Sequence, residues 1–106
     1  MRLKDKIALV FGAGQSPGPT PAIGNGRATS ILYAREGTKV MAVDRNLESA
    51  QETVRMIEDE GGQAAAVEAD VTDEAAVKAA VRACVDTWGR IDILHNNVGI
   101  SVVGGD

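Results

Sequence analysis

The chain has 106 residues, a net charge of −4, 44% apolar residues and 25% charged residues. This size and composition are typical of one soluble globular domain or part of one. The acidic balance argues against a nucleic-acid partner, whose binding usually shows as a basic patch. No apolar run approaches the roughly 20 residues of a membrane-spanning helix, so no membrane partner is expected.

The cysteine content and the N-terminus both bear on the compartment. The single cysteine, Cys84, cannot form an internal disulfide, and this fits a reducing compartment. Residues 1–6 lead straight into the first apolar run and leave no room for a signal peptide. We therefore expect a cytoplasmic protein. No spacing of His, Cys, Asp or Glu residues predicts a metal site.

The first predicted element is a strand at Ile7–Phe11, because a continuous apolar run is typical of a central parallel strand covered on both faces. Glycines follow at once: Gly12-Ala13-Gly14 opens a turn, and Gly24-Asn25-Gly26 closes it. Three prolines at positions 17, 19 and 21 fix φ and lack an N–H, so no helix can run through them. The stretch Gln15–Pro21 is therefore predicted to be an enlarged loop.

The rest of the chain alternates between helical and strand patterns. Apolar residues at steps of three and four indicate helices, and short apolar runs between turn residues indicate strands. The elements predicted after the loop are a helix from Ala22 or Ile23 to Glu36 that Gly37 stops, a strand at Lys39–Val43, a helix at Leu47–Glu60 capped by Asn46, a strand at Gln63–Ala69, a helix capped by Thr72 and ending near Trp88, and a strand at Ile91–His95. The residues available for the buried side of the first helix are Ile23, Ala28, Ile31, Leu32 and Ala34.

This β-α-β-α-β-α-β alternation predicts an α/β fold with a Rossmann-like parallel sheet. Strands separated by helices of this length form right-handed crossovers. In the doubly wound arrangement the strand order is 3-2-1-4, and a crevice opens between strands 1 and 4. The whole chain, residues 1–106, would be one incomplete dinucleotide-binding segment of such a fold.

The strand, glycine turn and helix at the start of the chain have the layout of a phosphate cradle. A diphosphate must lie close to backbone N–H groups, and glycines leave room for that approach. The helix N-terminus adds free N–H donors and a favourable dipole. The candidate phosphate-binding residues are Gly12, Gly14, Ile23 and Gly24. The alternative is a tight strand-to-helix connection that binds no ligand. A glycine-rich turn alone does not distinguish the two, because the motif indicates phosphate binding only in the right structural context.

Asp44 is the second candidate for cofactor binding. It lies 20 residues after Gly24, at the end of the second predicted strand. An acidic residue there can accept hydrogen bonds from the adenosine ribose hydroxyls and would repel a 2′-phosphate, so it favours NAD over NADP. The alternative is a loop or helix-capping aspartate. The next residue, Arg45, could instead meet a 2′-phosphate.

With these motifs the chain resembles the short-chain dehydrogenase/reductase family over essentially all of its residues. The family's turn has the pattern Thr-Gly, three residues, Gly, one residue, Gly. Gly12 matches its first glycine and Gly24 its last, Ala22 stands at the middle glycine, and Phe11 stands at the threonine. The spacing is six residues longer than the family's.

Two further motifs carry the resemblance. Asp70-Val71 matches the family's Asp-Val pair, and Asn96-Asn97-Val98-Gly99 matches its Asn-Asn-Ala-Gly motif with Val98 in place of Ala. The resemblance implies that Asp70 faces the adenine amino group and that Val71 lines the adenine pocket. It also implies that the segment holding Asn96, Val98 and Gly99 supports the sheet and approaches the cofactor ribose.

The family's catalytic serine and Tyr-xxx-Lys motif would lie beyond residue 106, so no catalytic residue is assigned. The only tyrosine, Tyr33, lies inside a predicted helix with Gly37 four residues later, and we interpret it as a packing residue. We likewise interpret His95 as structural, Cys84 as a core residue and Ser101 as a loop serine.

The resemblance implies the NAD-binding portion of an enzyme that transfers hydride between NAD and an alcohol or carbonyl substrate. Substrate contacts would belong to the half of the family fold that these residues do not include. The alternative is a non-catalytic nucleotide-binding or oligomerising module. Because the fourth strand would have a bare edge, we expect a homo-oligomer.

Overall fold

The structure is a computed structural model, which describes residues 4–14 and 25–96. Its elements in chain order are β1 at Ile7–Phe11, α1 at Asn25–Arg35, β2 at Lys39–Asp44, α2 at Leu47–Asp59, β3 at Ala64–Glu68, α3 at Glu74–Trp88 and β4 at Ile93–Asn96. The predicted alternation of strands and helices is therefore confirmed. The last strand begins at Ile93 rather than at Ile91, and Ile91 packs against the core from the connection between α3 and β4.

The four strands form one parallel sheet in the order β3-β2-β1-β4, as predicted. Phe11, at the end of β1, is level with Val43 of β2 and Asn96 of β4. Asp44, at the end of β2, is level with Glu68 of β3. The carboxyl ends of all four strands therefore meet at one edge of the sheet.

The strand β1 is buried along its whole length, which explains its unbroken apolar sequence. Its odd-numbered residues face α3, where Ala80 and Cys84 are fully buried beside them. Its even-numbered residues face α1 and α2, where Ala50 and Ile57 complete a second cluster. The interpretation of Cys84 as a core residue is thus confirmed, and the sheet separates two apolar layers.

The cap predicted for α2 is confirmed, and the cap predicted for α3 is wrong. The side chain of Asn46 accepts a hydrogen bond from Ser49 N–H at 3.2 Å. At α3, Asp73 is the cap: its Oδ1 accepts from the N–H groups of Ala75 at 3.0 Å and Ala76 at 3.3 Å. The hydroxyl of Thr72 is directed elsewhere, because it donates to Asp70 Oδ1 at 2.7 Å.

The buried side of α1 differs from the prediction. Ala28 is exposed and Leu32 is 58% exposed, whereas Gly26 and Ser30 are buried. The close approach of the helix at Gly26 sets this orientation, and Ser30 lies one turn later on the same side. Ile31 packs against the core as predicted. The predicted helix start at residues 22–23 lies outside the described residues.

Candidate functional site

The carboxyl edge of the sheet places the first glycine turn beside β2. The N–H groups of Gly12 and Ala13 both donate to the carbonyl oxygen of Val43, at 2.8 and 3.0 Å. Asp44 follows Val43 directly, so its carboxylate is brought to the turn. The structure thus places the candidate residues Gly12, Gly14 and Asp44 together.

Both carboxylate oxygens of Asp44 are held by backbone donors. The Gly14 N–H donates to Oδ2 at 2.9 Å, and the Asn46 N–H donates to Oδ1 at 2.9 Å. Asp44 is half-buried, and no Lys or Arg forms an ion pair with it within the ranges 4–14 and 25–96. Each carboxylate oxygen can accept more than one hydrogen bond, so a fixed anionic acceptor remains for a ligand with two hydroxyls.

The turn and the start of α1 touch backbone to backbone. A Cβ on Gly26 would overlap the carbonyl oxygen of Gly12 and lie 2.9 Å from the Cα of Ala13. Close helix–strand packing is the role of the last glycine in a dinucleotide turn. Gly26 has the packing that this position requires, whereas the predicted last glycine, Gly24, lies outside the described residues. The sequence contained this signal, since Gly26 closes the same glycine cluster.

Gly14 is equally confined, on the side of α2. A Cβ there would overlap the hydroxyl of Ser49 and lie 2.9 Å from Asp44 Oδ2. Only a residue without a side chain at position 14 leaves room for both Ser49 and Asp44 to lie against the turn. Ser49 was not among the residues selected from the sequence, because nothing local links it to the turn.

Asp70 and Val71 lie at the same edge, one strand further along. The N–H of Ala69 donates to the carbonyl oxygen of Asp44 at 3.1 Å, which brings the two segments side by side. The backbone N–H and then the hydroxyl of Thr72 lower the pKa of Asp70, and the charge of Arg45 adds to this. Val71 packs partly buried against the core cluster on the α3 side.

The remaining candidates lie on β4 and α1. Asn96 ends β4 level with Phe11, and it is exposed at the sheet edge. His95 lies beside Tyr33, with ring centroids 6.2 Å apart in an edge-to-face arrangement. Tyr33 also packs against the cluster between the sheet and helices α1 and α2. Both rings therefore contribute to packing, as the sequence indicated.

Several predicted features lie outside the described residues: Ile23, Gly24, Val98, Gly99, Ser101 and the loop Gln15–Pro21. Within the described part of the chain, no three His, Cys, Asp or Glu side chains gather so that they could hold a metal ion. In that same part, no helix is both long enough and apolar enough to cross a membrane.

Comparison with known proteins places this architecture. The profile of the short chain dehydrogenase family matches residues 6–106. A sorbitol dehydrogenase of Cereibacter sphaeroides is 42% identical over 100 residues, which are 94% of this chain and 35% of that protein. The short-chain dehydrogenase/reductase homolog YusS of Bacillus subtilis is 41% identical over 103 residues, which are 95% of this chain and 86% of YusS.

Solved structures agree with the sequence relatives. A hydroxysteroid dehydrogenase from Escherichia coli superposes with a TM-score of 0.81 at 34% identity, over 92% of this chain and 38% of that one. A short-chain dehydrogenase/reductase from Burkholderia xenovorans, described as putative, superposes with a TM-score of 0.82 at 46% identity, over 98% of this chain and 40% of that one. The chain spans about a third of the length of several curated relatives that it matches, 35% in the case of the sorbitol dehydrogenase. With a family profile over nearly all of its residues and the parallel 3-2-1-4 sheet, the chain belongs to the short-chain dehydrogenase/reductase family.

Proposed function

We propose that this chain is the NAD-binding portion of a dehydrogenase that transfers hydride between NAD and an alcohol or carbonyl compound. The observation that carries the proposal is the Asp44 carboxylate, which Gly14 and Asn46 hold with backbone N–H groups beside the glycine turn. A ribose diol offers two donors to such an acceptor. The family membership supplies the reaction class.

Different residues at the sheet edge would bind different parts of a dinucleotide. The start of α1 would face the diphosphate with the N–H groups of its first turn, which have no partner within the helix. The N–H groups of Gly12, Ala13 and Gly14 donate to Val43 and Asp44, so this turn would position the helix end rather than bind the diphosphate itself. Asp70 and Val71 would contact the adenine, and Asn96 would approach the cofactor ribose together with Val98 and Gly99. When bound, the nicotinamide ring supplies the hydride chemistry; this chain's residues bind and orient the remainder of the cofactor.

The charges at the site support a preference for NAD over NADP. A 2′-phosphate would add about two negative charges beside the Asp44 carboxylate, which pairs with no Lys or Arg among residues 4–14 and 25–96. Arg45 is exposed and could meet that phosphate, but its charge also acts on the nearby Asp70 carboxylate. Asp44 therefore dominates the site, because two backbone donors fix it whereas Arg45 projects from the surface.

An alcohol or carbonyl substrate for the whole protein is supported by relatives named as sorbitol and hydroxysteroid dehydrogenases. The family's catalytic serine and Tyr-xxx-Lys motif have no counterpart among the 106 residues. The only tyrosine, Tyr33, lies in α1 with Gly37 four positions later. Substrate contacts and proton transfer would therefore belong to residues that this chain does not include.

A second candidate function is a nucleotide-binding or oligomerising module without turnover of its own. One comparison favours it: this chain covers 86% of the length of the homolog YusS. The first candidate function requires dinucleotide binding and a catalytic half. The second requires only nucleotide binding or self-assembly. The homo-oligomer and the cytoplasmic location stay predictions.

Calorimetric titration of the chain with NADH and with NADPH tests the proposal. We expect saturable binding of NADH and weaker binding of NADPH, and we expect no NAD-linked alcohol oxidation by the chain alone. Failure of both nucleotides to bind at millimolar concentration would contradict the proposed function. Turnover by the chain alone would contradict the assignment of catalysis to residues outside it.

A further inference from the structure

Thr53 connects helix α2 to the glycine turn. It is fully buried, although it lies on a helix face otherwise formed by the apolar residues Ala50 and Ile57. Its hydroxyl donates to the carbonyl oxygen of Ala13 at 2.8 Å. Burial of a hydroxyl costs folding free energy unless the hydroxyl is hydrogen-bonded. The bond to Ala13 therefore offsets the burial of Thr53 and ties α2 to the glycine turn.

Arg27 of α1 completes the connection. Its Nε donates to Thr53 Oγ1 at 2.9 Å. Because a guanidinium can only donate, the hydroxyl proton of Thr53 is left for a carbonyl acceptor, and the bond to Ala13 is shorter than the 3.3 Å alternative to the carbonyl of Ser49. The Arg27 side chain is only 13% exposed, and its Nη2 reaches the Ser49 carbonyl and hydroxyl at 3.2 and 3.3 Å.

The bond to Ala13 acts on Asp44 through a single peptide group. The Ala13 carbonyl, which Thr53 holds, and the Gly14 N–H, which Asp44 accepts, belong to the same planar unit. In a trans peptide these two groups point in opposite directions. Rotation of the plane would break both bonds, so the peptide is held from the α2 side and presented to Asp44 on the other.

We propose that Arg27 and Thr53 are positioning residues for the dinucleotide site. Through the Ala13–Gly14 peptide they fix the Asp44 carboxylate in the orientation in which it accepts the ribose hydroxyls. This inference rests on the proposed function for the part played by Asp44, but the peptide clamp itself can be measured without any nucleotide.

The first test compares Thr53→Val with Thr53→Ser. Valine keeps the shape and removes the hydroxyl, whereas serine restores it. In the free chain we expect amide exchange of Gly14 to become about ten-fold faster in T53V and to return towards the wild-type rate in T53S. The matched control is Thr38→Val. This change removes the hydroxyl of another buried threonine, which directly precedes β2 and lies at the end of the sheet away from the glycine turn. Exchange rates are compared after correction for the global stability of each variant.

The second readout is nucleotide preference. We expect T53V to weaken NADH binding about three- to ten-fold and NADPH binding less, because only the ribose contact depends on Asp44. A purely structural role would weaken both nucleotides equally. Arg27→Lys, which loses the Nε donor and the planar fork, should act in the same direction. Glu52→Gln should leave the preference unchanged, because Glu52 is 51% exposed and 3.5 Å from Arg27.

The two readouts separate the possible failures. Faster Gly14 exchange in T53V together with a reduced NADH preference supports the proposal. Unchanged Gly14 exchange overturns it, whatever happens to binding. Faster Gly14 exchange with equal loss of NADH and NADPH affinity overturns the link to Asp44. If the wild-type chain binds neither nucleotide, the proposed function fails, and the part of the inference that concerns the ribose fails with it.

Discussion

The two ends of β1 use an aspartate in the same way but leave it in different electrostatic states. At the amino end, Asp92 Oδ2 accepts the N–H of Ile7 at 2.8 Å. At the carboxyl end, Asp44 Oδ2 accepts the N–H of Gly14 at 2.9 Å. In both cases a carboxylate from outside β1 holds a backbone N–H at or just beyond one end of the strand.

The difference lies in the cation. Arg90 donates from Nε to Asp92 at 2.9 Å and from Nη2 to the carbonyl of Asp5 at 3.0 Å, which neutralises the amino end. No basic side chain pairs with Asp44 in the portion of the chain that the structure describes. An anion that is fixed but not neutralised can accept a ligand, whereas Asp92 forms a closed structural clamp.

The largest effect is expected from Gly26→Ala. At an open helical position this change stabilises a protein by about 1 kcal/mol. Here the new Cβ would overlap the Gly12 carbonyl, so we expect a loss of about 3 kcal/mol in the free energy of unfolding and loss of nucleotide binding. Urea denaturation measures the stability, with Gly61→Ala as the control for backbone strain without a clash. Nothing lies near the Cβ position of Gly61, but its φ of +89° costs an L-residue about 1–2 kcal/mol, so the loss in G26A should be the larger of the two. A G26A variant as stable as the wild type would refute the backbone contact.

The second-largest effect is expected from removal of the Asp44 carboxylate. Asp44→Ala removes a charged acceptor, so we expect NADH affinity to fall about 10- to 100-fold, with a smaller loss for NADPH. Calorimetry with both nucleotides measures the change, and Asp59→Ala on the exposed end of α2 is the control. If the ratio of the two affinities stayed the same, Asp44 would not select between them.

The amino-end clamp should show itself in the pH dependence of stability. The hydrogen bond from Arg90, and then the Ile7 N–H, lower the pKa of Asp92 below its ordinary value of about 3.9. A lowered folded-state pKa contributes stability that is present above the ordinary value and is lost as the pH falls through the folded value. The stability difference between wild type and Asp92→Asn should therefore be constant near neutrality and shrink below about pH 4.

Urea unfolding of both proteins across the acid range measures that difference. Other carboxylates titrate there too, but they do so in both proteins and cancel in the comparison. A difference that does not change with pH would show that the charge of Asp92 is not what the clamp uses.

The smallest effect is expected from shortening the segment between the two glycine clusters. Deletion of six residues within 15–21 would bring it towards the family's length, and loop length changes stability only slowly, by about 0.6 kcal/mol per doubling. We expect an unchanged fold by circular dichroism and a small change in the urea midpoint. Loss of cooperative unfolding would show that this segment packs as part of the core.

Sequence patterns were sufficient for the fold because they report local periodicity. The apolar run of β1 and the stepped apolar residues of α2 predicted the elements, and their alternation predicted the strand order. The α3 cap was missed because both Thr72 and Asp73 can cap a helix, and the choice depends on Asp70 attracting the threonine hydroxyl. The exposed side of α1 was missed because a backbone contact at Gly26, rather than apolar content, orients that helix.

The candidate site was predictable only where it follows strand ends. Gly12, Gly14 and Asp44 could be found because the turn and the second strand place them at one edge. Arg27 and Thr53 could not be found in this way, because their hydrogen bonds are long-range. The bond between Arg27 and Thr53 spans 26 positions in sequence, and the bond between Thr53 and Ala13 spans 40. One signal was present: Thr53 is a polar residue on the buried, otherwise apolar face of α2.

The most direct test of the account is an NADH titration of the isotopically labelled chain followed by amide NMR. We predict saturable shifts that are largest at the Gly14 and Asn46 amides, which hold the Asp44 carboxylate, while the Ile7 amide at Asp92 stays unmoved. Saturable binding that shifts the amino end of β1 and leaves Gly14 and Asn46 unchanged would contradict the assignment of the site to the carboxyl edge.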